Sequence, residues 1–200
     1  MEIVDVAQQS PEWFKLREKT MTASHATAIG SCGKGLQTYI SQLMQEFYST
    51  KEKEHFSNKH TDRGNELEDS AAFLYEMQTG NKVEKVGFVK HSEYVGCSPD
   101  GFTTGGLVEI KAPDDKEFFR LLLGGKISSG YDWQMQMQML ICGYDWCDHV
   151  NYNPNFEKNL IIERVLKNQD RFDDLEKGFL IGADLIKGIE FKMEQICRLH

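Results

Sequence analysis

Cysteine and proline are scarce in this sequence of 200 residues, with five and four copies respectively. The cysteines form no Cys-x-x-Cys pair, which argues against a zinc ribbon, an iron–sulfur cluster or a disulfide scaffold. We interpret them as small apolar residues in a reducing compartment; they are Cys32, Cys97, Cys142, Cys147 and Cys197. The low proline content and the lack of any low-complexity tract argue against a disordered chain.

Signals for secretion or membrane insertion are also missing. The N-terminus has no basic region followed by an apolar run, and no apolar stretch approaches the ~20 residues that span a bilayer. We therefore expect a cytoplasmic protein with no membrane association. The absence of a Gly-x₄-Gly-Lys-Ser/Thr loop argues against an ordinary nucleotide hydrolase, and the six histidines lack the spacing of metal ligands.

Positive charge is in deficit, and the net charge is −8. This balance argues mildly against a general nucleic-acid coat protein, which is usually basic. It does not exclude a nuclease, because a metal site needs carboxylates and a local basic patch can hold DNA on an acidic protein. The net charge alone leaves this class open.

Apolar periodicity and capping residues predict helices interspersed with strands. The predicted helices cover residues 10–17, 22–30, 36–48, 62–78, 114–123, 131–142 and 171–197, and the predicted strands cover residues 83–91, 94–98, 107–111, 146–152 and 160–166. The alternating Lys/Glu run at residues 51–55 is predicted to be a solvated loop or helix end. The pattern predicts an α/β fold with a mixed sheet flanked by helices, in a single domain over residues 1–200.

The segment with the clearest chemistry is Asp100, eight intervening residues, and then Glu109-Ile110-Lys111. Residues alternate sides along a strand, so Glu109 and Lys111 are expected on one face while Val108 and Ile110 anchor the other. A loop of Gly, Phe and Thr after Asp100 would return the chain and bring its carboxylate beside Glu109. Two carboxylates, a backbone carbonyl and waters form the oxygen-rich site that Mg²⁺ prefers, and a neighbouring Lys can position water. A surface hairpin with a solvated Glu–Lys pair would show the same spacing, so the pattern alone leaves catalysis open.

Two helices offer further candidates. Glu68 shares a helical face with Ala71 and Tyr75, so it could point toward the same site; a solvated carboxylate is the alternative. In the run of Gln and Met at residues 134–139, a helix would place Gln134 and Gln138 on one face, with methionines forming an apolar stripe. A Gln facing a cleft could bind phosphate or a base edge, although a methionine stripe is more typical of core packing.

Eight short motifs occur in a fixed order: Trp13-x-x-Leu16-Arg17, Thr22-Ala23-Ser24, Gly64-x-x-x-Glu68, Cys97-Ser98-Pro99-Asp100-Gly101, Glu109-Ile110-Lys111-Ala112-Pro113, Leu123-Gly124-Gly125, Tyr131-x-x-Gln134-x-Gln136 and Asn151-Tyr152-Asn153-Pro154. In this order they resemble the lambda exonuclease and YqaJ-like viral recombinase family, within the restriction-endonuclease-like nuclease superfamily. The resemblance covers about residues 13–154 and implies a central mixed sheet flanked by helices, with a catalytic core at about residues 60–154. It also implies Mg²⁺-dependent 5′→3′ hydrolysis of one strand of linear duplex DNA to mononucleotides, leaving a 3′ single strand for phage-type recombination.

The resemblance also assigns residues. It implies that Asp100 and Glu109 bind Mg²⁺ with the Ile110 carbonyl, and that Glu68 completes the site; oxygen ligands could also accept Mn²⁺. Lys111 would orient or activate the water. The terminal 5′-phosphate would be received by Arg17, Ser24, Ser98 and Gln134, with Lys34 as a further contact to DNA, and guanidinium, hydroxyl and amide groups suit that role.

Relatives in this family form ring-shaped trimers around DNA and work beside a single-strand annealing protein, so a homotrimer and such a partner are expected in a bacterial host. Two other enzyme activities stay open: a restriction-like or structure-specific endonuclease with the same metal site, and a nuclease directed at RNA. A catalytically silent DNA-binding accessory is the alternative from another class, and the presence of Glu68, Asp100, Glu109 and Lys111 argues against it.

Overall fold

The computed structural model describes residues 1–50 and 59–198, with side chains from residue 67 onward in the second range. The Lys/Glu run at residues 51–55 lies outside the described residues. The helices are α1 (Pro11–Leu16), α2 (Ala26–Gly30), α3 (Lys34–Tyr48), α4 (Lys59–Thr79), α5 (Asp115–Leu122), α6 (Ser129–Cys142) and α7 (Gln169–Arg198). Within the described ranges, no helix combines the length and the apolar content that crossing a membrane requires.

Capping residues explain where several helices begin and end. Ser10 accepts a hydrogen bond from the Trp13 amide at 3.2 Å, and Pro11 occupies the first turn of α1. Asp114 caps α5 in the same way, and Ser128 caps α6. At the other end of α6, Gly143 adopts φ 74°, a left-handed conformation that glycine takes without strain and that stops the helix. The sequence therefore sets the limits of the helices that later carry the site.

In the part of the chain that the structure describes, the strands form two sheets, each of four strands. They are β1 (Glu2–Val4), β2 (Met21–Thr22), β3 (Phe88–Ser92), β4 (Val95–Cys97), β5 (Gly101–Thr103), β6 (Gly106–Lys111), β7 (Trp146–Tyr152) and β8 (Leu160–Leu166). The first sheet has the order β1-β3-β4-β2 and the second β5-β6-β7-β8, and each combines parallel with antiparallel pairs. The predicted fold class, mixed β structure flanked by helices, is confirmed.

The strand predictions needed three corrections. The predicted strand at residues 83–91 begins only at Phe88, because Glu84 makes a single isolated bridge to Phe102. The predicted return loop after Asp100 is instead the strand β5, paired antiparallel with β6. The short strands β1 and β2 were not predicted, since two or three residues are too few to show an alternating pattern.

The second sheet separates two apolar clusters. Val108 and Ile110 of β6 pack with Ala71 and Tyr75 of α4 on one side. Leu107 belongs to the larger cluster on the other side, which includes buried residues of α2, α3, α6 and α7. The side chains of β6 therefore alternate between two buried environments, and this alternation positions the polar residues described next.

Candidate active site

Glu109 lies at the centre of a buried hydrogen-bond network, with 1% of its surface exposed. Its Oε1 accepts hydrogen bonds from Lys111 Nζ and Gln134 Nε2, and its Oε2 accepts one from Gln138 Nε2 at 2.7 Å. Glu109 and Lys111 thus meet on one face of β6, as the strand alternation predicts, and α6 supplies the two amides. A buried carboxylate needs such donors, because burying it without partners would be costly.

Asp100 is brought to this network by the β5–β6 hairpin. Gly101 pairs with Val108, so the preceding residue Asp100 is level with Glu109 across the hairpin. Asp100 Oδ2 accepts a hydrogen bond from the Ile110 amide at 2.6 Å. Burial, and then the nearby charge of Glu109, raise the pKa of the Asp100 carboxyl well above its usual range. The two carboxylates therefore form one closely coupled electrostatic unit.

Glu68 reaches the same region from α4. It lines an acidic cleft of about 560 Å³, which we define by Gln8, Glu68, Lys85 and Asp100. Burial raises the pKa of Glu68, while the cations of Lys85 and Lys111 act in the opposite direction. The predicted orientation of Glu68 toward the site agrees with this position.

The oxygen donors suit a hard cation, although their side chains are not arranged as a complete coordination shell. Among the side chains that the structure describes, in residues 1–50 and 67–198, no group of three or more His, Cys, Asp or Glu residues is arranged to hold a metal ion. Burial, the largest cause, and then neighbouring carboxylates raise the pKa of Glu68 and Asp100, so a bound cation would favour the charged form of both groups. Two carboxylates with a neighbouring carbonyl and water offer the oxygen chemistry of Mg²⁺, which commonly keeps several waters. The residues therefore fit Mg²⁺.

A second pocket brings together four of the residues assigned to phosphate binding. This end pocket, of about 130 Å³, is lined by Arg17, Ser24, Ser98 and Gln134, with Gln138 at its edge. Because Gln134 also contacts Glu109, the end pocket adjoins the carboxylate network. These residues are up to 117 positions apart in the sequence, and the family resemblance assigned them to one phosphate site. In the fold they line one pocket.

Trp13 organises the end pocket. Its indole N–H donates to Ser98 Oγ at 2.8 Å, and the Arg17 guanidinium lies 4.2 Å from the centre of its ring. Burial lowers the pKa of Arg17, and no carboxylate of the described residues forms an ion pair with it. A partly desolvated guanidinium without an anionic partner is suited to bind an anion such as phosphate.

Lys34 is the predicted DNA contact that the fold does not bring to the site. It is exposed at the first position of α3 and lines neither the acidic cleft nor the end pocket. Ile110 is placed as expected between Glu109 and Lys111, with its amide bonded to Asp100.

Two residues of the network were given no role in the sequence analysis. Gln138 was placed on the face of Gln134 by helical spacing, but nothing in the sequence showed that its amide meets Glu109. His149 was missed altogether: it lies beside Glu109 in the parallel pairing of β6 with β7. Burial and then the charge of Lys111 lower the pKa of His149 to about 4. Glu109 and His149 are 40 residues apart in the sequence, so only the pairing of their strands shows that they are neighbours.

Comparison with known proteins identifies a family and a shared fold. Residues 12–145 match the family model of the YqaJ-like viral recombinase domain. The structure is similar to an alkaline exonuclease (LHK-Exo) from Laribacter hongkongensis, with a TM-score of 0.83 at 30% identity over 96% of this chain and 100% of that one. LHK-Exo in complex with dAMP gives a TM-score of 0.82, also at 30% identity and the same coverage.

A phage-related exonuclease from Haemophilus somnus 129PT shares the fold, with a TM-score of 0.66 at 14% identity over 87% of this chain and 96% of that one. Among curated proteins, no match to the sequence was found.

Proposed function

Because this chain belongs to the YqaJ-like viral recombinase family, we propose that it is an Mg²⁺-dependent 5′→3′ exodeoxyribonuclease. It digests one strand of linear double-stranded DNA to mononucleotides and leaves a 3′ single-stranded overhang for recombination by single-strand annealing. The similarity to LHK-Exo supports the nuclease class, and the complex of that enzyme with dAMP supports a deoxynucleotide as the group bound.

The observation that carries this proposal is the position of Gln134. Its side chain lines the end pocket and also donates to Glu109 Oε1. A terminal phosphate bound by Arg17 in that pocket would therefore place the following phosphodiester near the carboxylates. A pocket for a terminal phosphate that adjoins the carboxylates is useful to an enzyme that starts at a strand end, so this arrangement favours attack from an end.

Asp100 and Glu109, with the Ile110 carbonyl, would hold Mg²⁺, and Glu68 would complete the site. When bound, the metal lowers the pKa of a water and stabilises negative charge on the phosphate oxygens; Mn²⁺ could substitute. The remaining steps belong to the chain itself. Arg17, Ser24 and Ser98 bind the terminal phosphate and so fix which phosphodiester is cut.

Lys111 acts as a cation in this arrangement. Burial disfavours its charged form, but the carboxylates of Glu109 and Asp100 outweigh burial and raise the pKa of the Lys111 ammonium. Lys111 is assigned to orient the attacking water through its N–H groups and to neutralise charge on the scissile phosphate.

The assembly that we propose follows the same family. Three copies would form a ring around the duplex, and a single-strand annealing protein would receive the exposed 3′ strand. A ring would keep the enzyme on its substrate between successive cuts, which suits an exonuclease that removes one nucleotide at a time.

The test is digestion of a linear duplex that carries a radioactive phosphate at one 5′ end. With Mg²⁺, we expect early release of labelled mononucleotide and a covalently closed circular plasmid that stays intact. EDTA should stop the reaction, and added Mg²⁺ should restore it. Nicking of the circle would replace the exonuclease with an endonuclease, and release of label only at the end of digestion would reverse the direction. A folded protein that cleaves nothing with Mg²⁺ or Mn²⁺ would overturn the proposal.

A further inference from the structure

A third pocket is lined by Tyr131, whose ring faces Lys111. This β7 pocket, of about 250 Å³, is defined by Leu121, Ile127, Tyr131, His149 and Asn151. The Tyr131 ring stands 5.4 Å from Lys111 Nζ and 5.6 Å from the His149 ring. The β7 pocket is therefore linked to the proposed catalytic lysine through Tyr131, which lines the pocket and faces Lys111 Nζ.

His149, which lines this pocket, has a ring nitrogen without a hydrogen-bond partner among the described residues. Asn151 Nδ2 lies 3.1 Å from His149 Nδ1, and an amide nitrogen can only donate, so Nδ1 is the acceptor. The ring proton of the neutral imidazole must then be on Nε2. His149 is 1% exposed, and its Nε2 has no hydrogen-bond partner among the residues that the structure describes. Buried donors of this kind are usually satisfied, which points to an acceptor on a ligand.

The lining of the β7 pocket suits an uncharged aromatic group. Leu121 and Ile127 supply apolar surface, and Tyr131 supplies an exposed aromatic ring. Among the described residues, Glu117 is the one carboxylate that lines the pocket, and Arg120 pairs with it at 2.7 Å. No lysine or arginine of the described ranges lines it, so a phosphate would find a carboxylate and no cation. At this size the pocket is smaller than the roughly 300–1,000 Å³ of sites for drug-sized ligands, and it suits a fragment such as one base.

Helix α6 relates the β7 pocket to the end pocket. Gln134 and Gln138 border the end pocket, whereas Tyr131, one turn earlier, borders the β7 pocket. From Tyr131 to Gln138 the helix advances about 10 Å. On the same stretch of α6, Gln134 donates to Glu109 and the Tyr131 ring faces Lys111. A strand whose first phosphate lies in the end pocket would pass Lys111 with its second phosphate and then reach the β7 pocket.

We infer that the β7 pocket binds the base of the second nucleotide, on the 3′ side of the bond that is cut, with the base against Tyr131 and an acceptor on it bonded to His149 Nε2. This inference rests on the proposed function. The contact fixes the scissile phosphodiester from its far side, as the end pocket fixes it from the near side. His149 is a substrate-binding residue in this arrangement, and Asn151 positions it by holding its tautomer.

The experiment compares 5′-phosphorylated duplexes that carry a stable abasic residue at one position. Single-turnover release of the first mononucleotide is measured for the unmodified duplex and for abasic residues at the first or second nucleotide. A further duplex has the abasic residue in the complementary strand, opposite the second nucleotide, which weakens the same base pair without removing the base in question. We expect about a tenfold slower release only with the abasic residue at the second nucleotide, the effect of losing one stacked base.

The variants test the donor. His149→Phe should slow cleavage of the unmodified duplex to a similar degree and should remove most of the further effect of the abasic residue. His149→Gln retains an N–H donor and should keep more of that effect than His149→Phe. Equal rates for wild-type enzyme on the unmodified and second-position abasic duplexes would overturn the inference, even if neither variant folds. So would a larger effect at the first position or from the complementary strand. If the unmodified duplex is not cleaved at all, the proposed function fails first, so the two failures are distinguishable.

Discussion

Gln138 Nε2 and Glu109 Oε2 are 2.7 Å apart, and both side chains are almost fully removed from solvent. The amide nitrogen can only donate, so Glu109 Oε2 is the acceptor in this contact. Replacing Gln138 with Leu should therefore leave one carboxylate oxygen without its donor. We expect turnover to fall by about 10–100-fold, with a higher Mg²⁺ concentration needed for half-maximal activity, because groups that orient metal ligands have effects of this size.

Gln136 provides a matched control for that variant. It is equally buried on the same helix, but its amide donates to the Leu166 carbonyl at 2.9 Å and accepts from the Asn168 amide at 2.8 Å. Gln136→Leu should lower the melting temperature while leaving the Mg²⁺ requirement unchanged. An identical Mg²⁺ shift in both variants would show that Gln138 acts only through general stability.

Lys111→Ala should abolish cleavage while DNA binding is largely retained. The variant removes the cation that meets Glu109 and faces the scissile phosphate, so we expect at least about a 10²–10³-fold loss in turnover. Filter binding with labelled duplex and circular dichroism would establish that binding and fold persist. Lys116→Ala, which changes an exposed lysine on α5, should have wild-type activity. Full activity of Lys111→Ala would remove the assigned role.

Arg17→Ala should erase the preference for 5′-phosphorylated over 5′-hydroxyl ends. A charged hydrogen bond to phosphate contributes about 1.5–3 kcal/mol, so the preference should fall by roughly ten- to a hundredfold. The ratio of initial rates on the two substrates measures this directly. Lys34→Ala is the control, because Lys34 lies outside the end pocket and should leave the ratio unchanged. A ratio that survives Arg17→Ala would reject the pocket.

The contact of Lys19 and Tyr94 with Glu190 should make stability depend on pH. Burial alone would raise the pKa of Glu190, but the hydrogen bonds from Lys19 and Tyr94 outweigh it and the pKa is lowered. The hydrogen bond to Glu190 raises the pKa of Lys19. The lowered pKa of Glu190 contributes stability above pH 4.5, the ordinary pKa of a glutamate. This stability is lost as pH falls through the folded-state pKa of Glu190. The raised pKa of Lys19 contributes stability below pH 10.5, and this stability is lost as pH rises through the folded-state pKa of Lys19.

Glu190→Gln should therefore cost about 1 kcal/mol of unfolding free energy at neutral pH, or roughly 3 °C in Tm. Denaturant titrations at successively lower pH should show a shrinking difference from wild type, since the stability that the lowered pKa of Glu190 provides is lost as pH falls through its folded-state pKa. Glu194→Gln serves as the control on the same helix, because Glu194 is exposed and lies 3.9 Å from Arg198. A stability deficit of Glu190→Gln that grows on acidification would contradict the lowered pKa of Glu190.

The parts of the site that could be predicted are those written in local spacing. Alternation along one strand put Glu109 and Lys111 together, and the four-residue spacing of Gln134 and Gln138 gave them one helical face. The conformation between Asp100 and Glu109 was wrong in detail, because a three-residue strand gives too short a pattern to distinguish from a loop.

Contacts across the chain were beyond local patterns. His149 becomes a neighbour of Glu109 only through the parallel pairing of β6 with β7. The register of that pair is set where the sheet packs against α4 on one face and α6 on the other. The division of the strands into two sheets was likewise hidden, since the sequence indicates which segments are strands but not how they pair. The grouping of Arg17 with Ser98 and Gln134 came from the order of family motifs rather than from spacing.

The three glutamines of α6 together restrict how that helix can turn about its own axis. Methionine is flexible and fills irregular space, so the buried side chains of Met135, Met137 and Met139 would tolerate small rotations of the helix at little cost. Gln134 and Gln138 are tied to Glu109 on one side, while Gln136 is tied to the connection between β8 and α7 on another. Any rotation that shortens one set of bonds stretches the other. The rotation of α6 about its axis is therefore fixed before the substrate binds. The hydrogen bonds of the glutamines fix it, although the methionine packing of the helix would tolerate small changes.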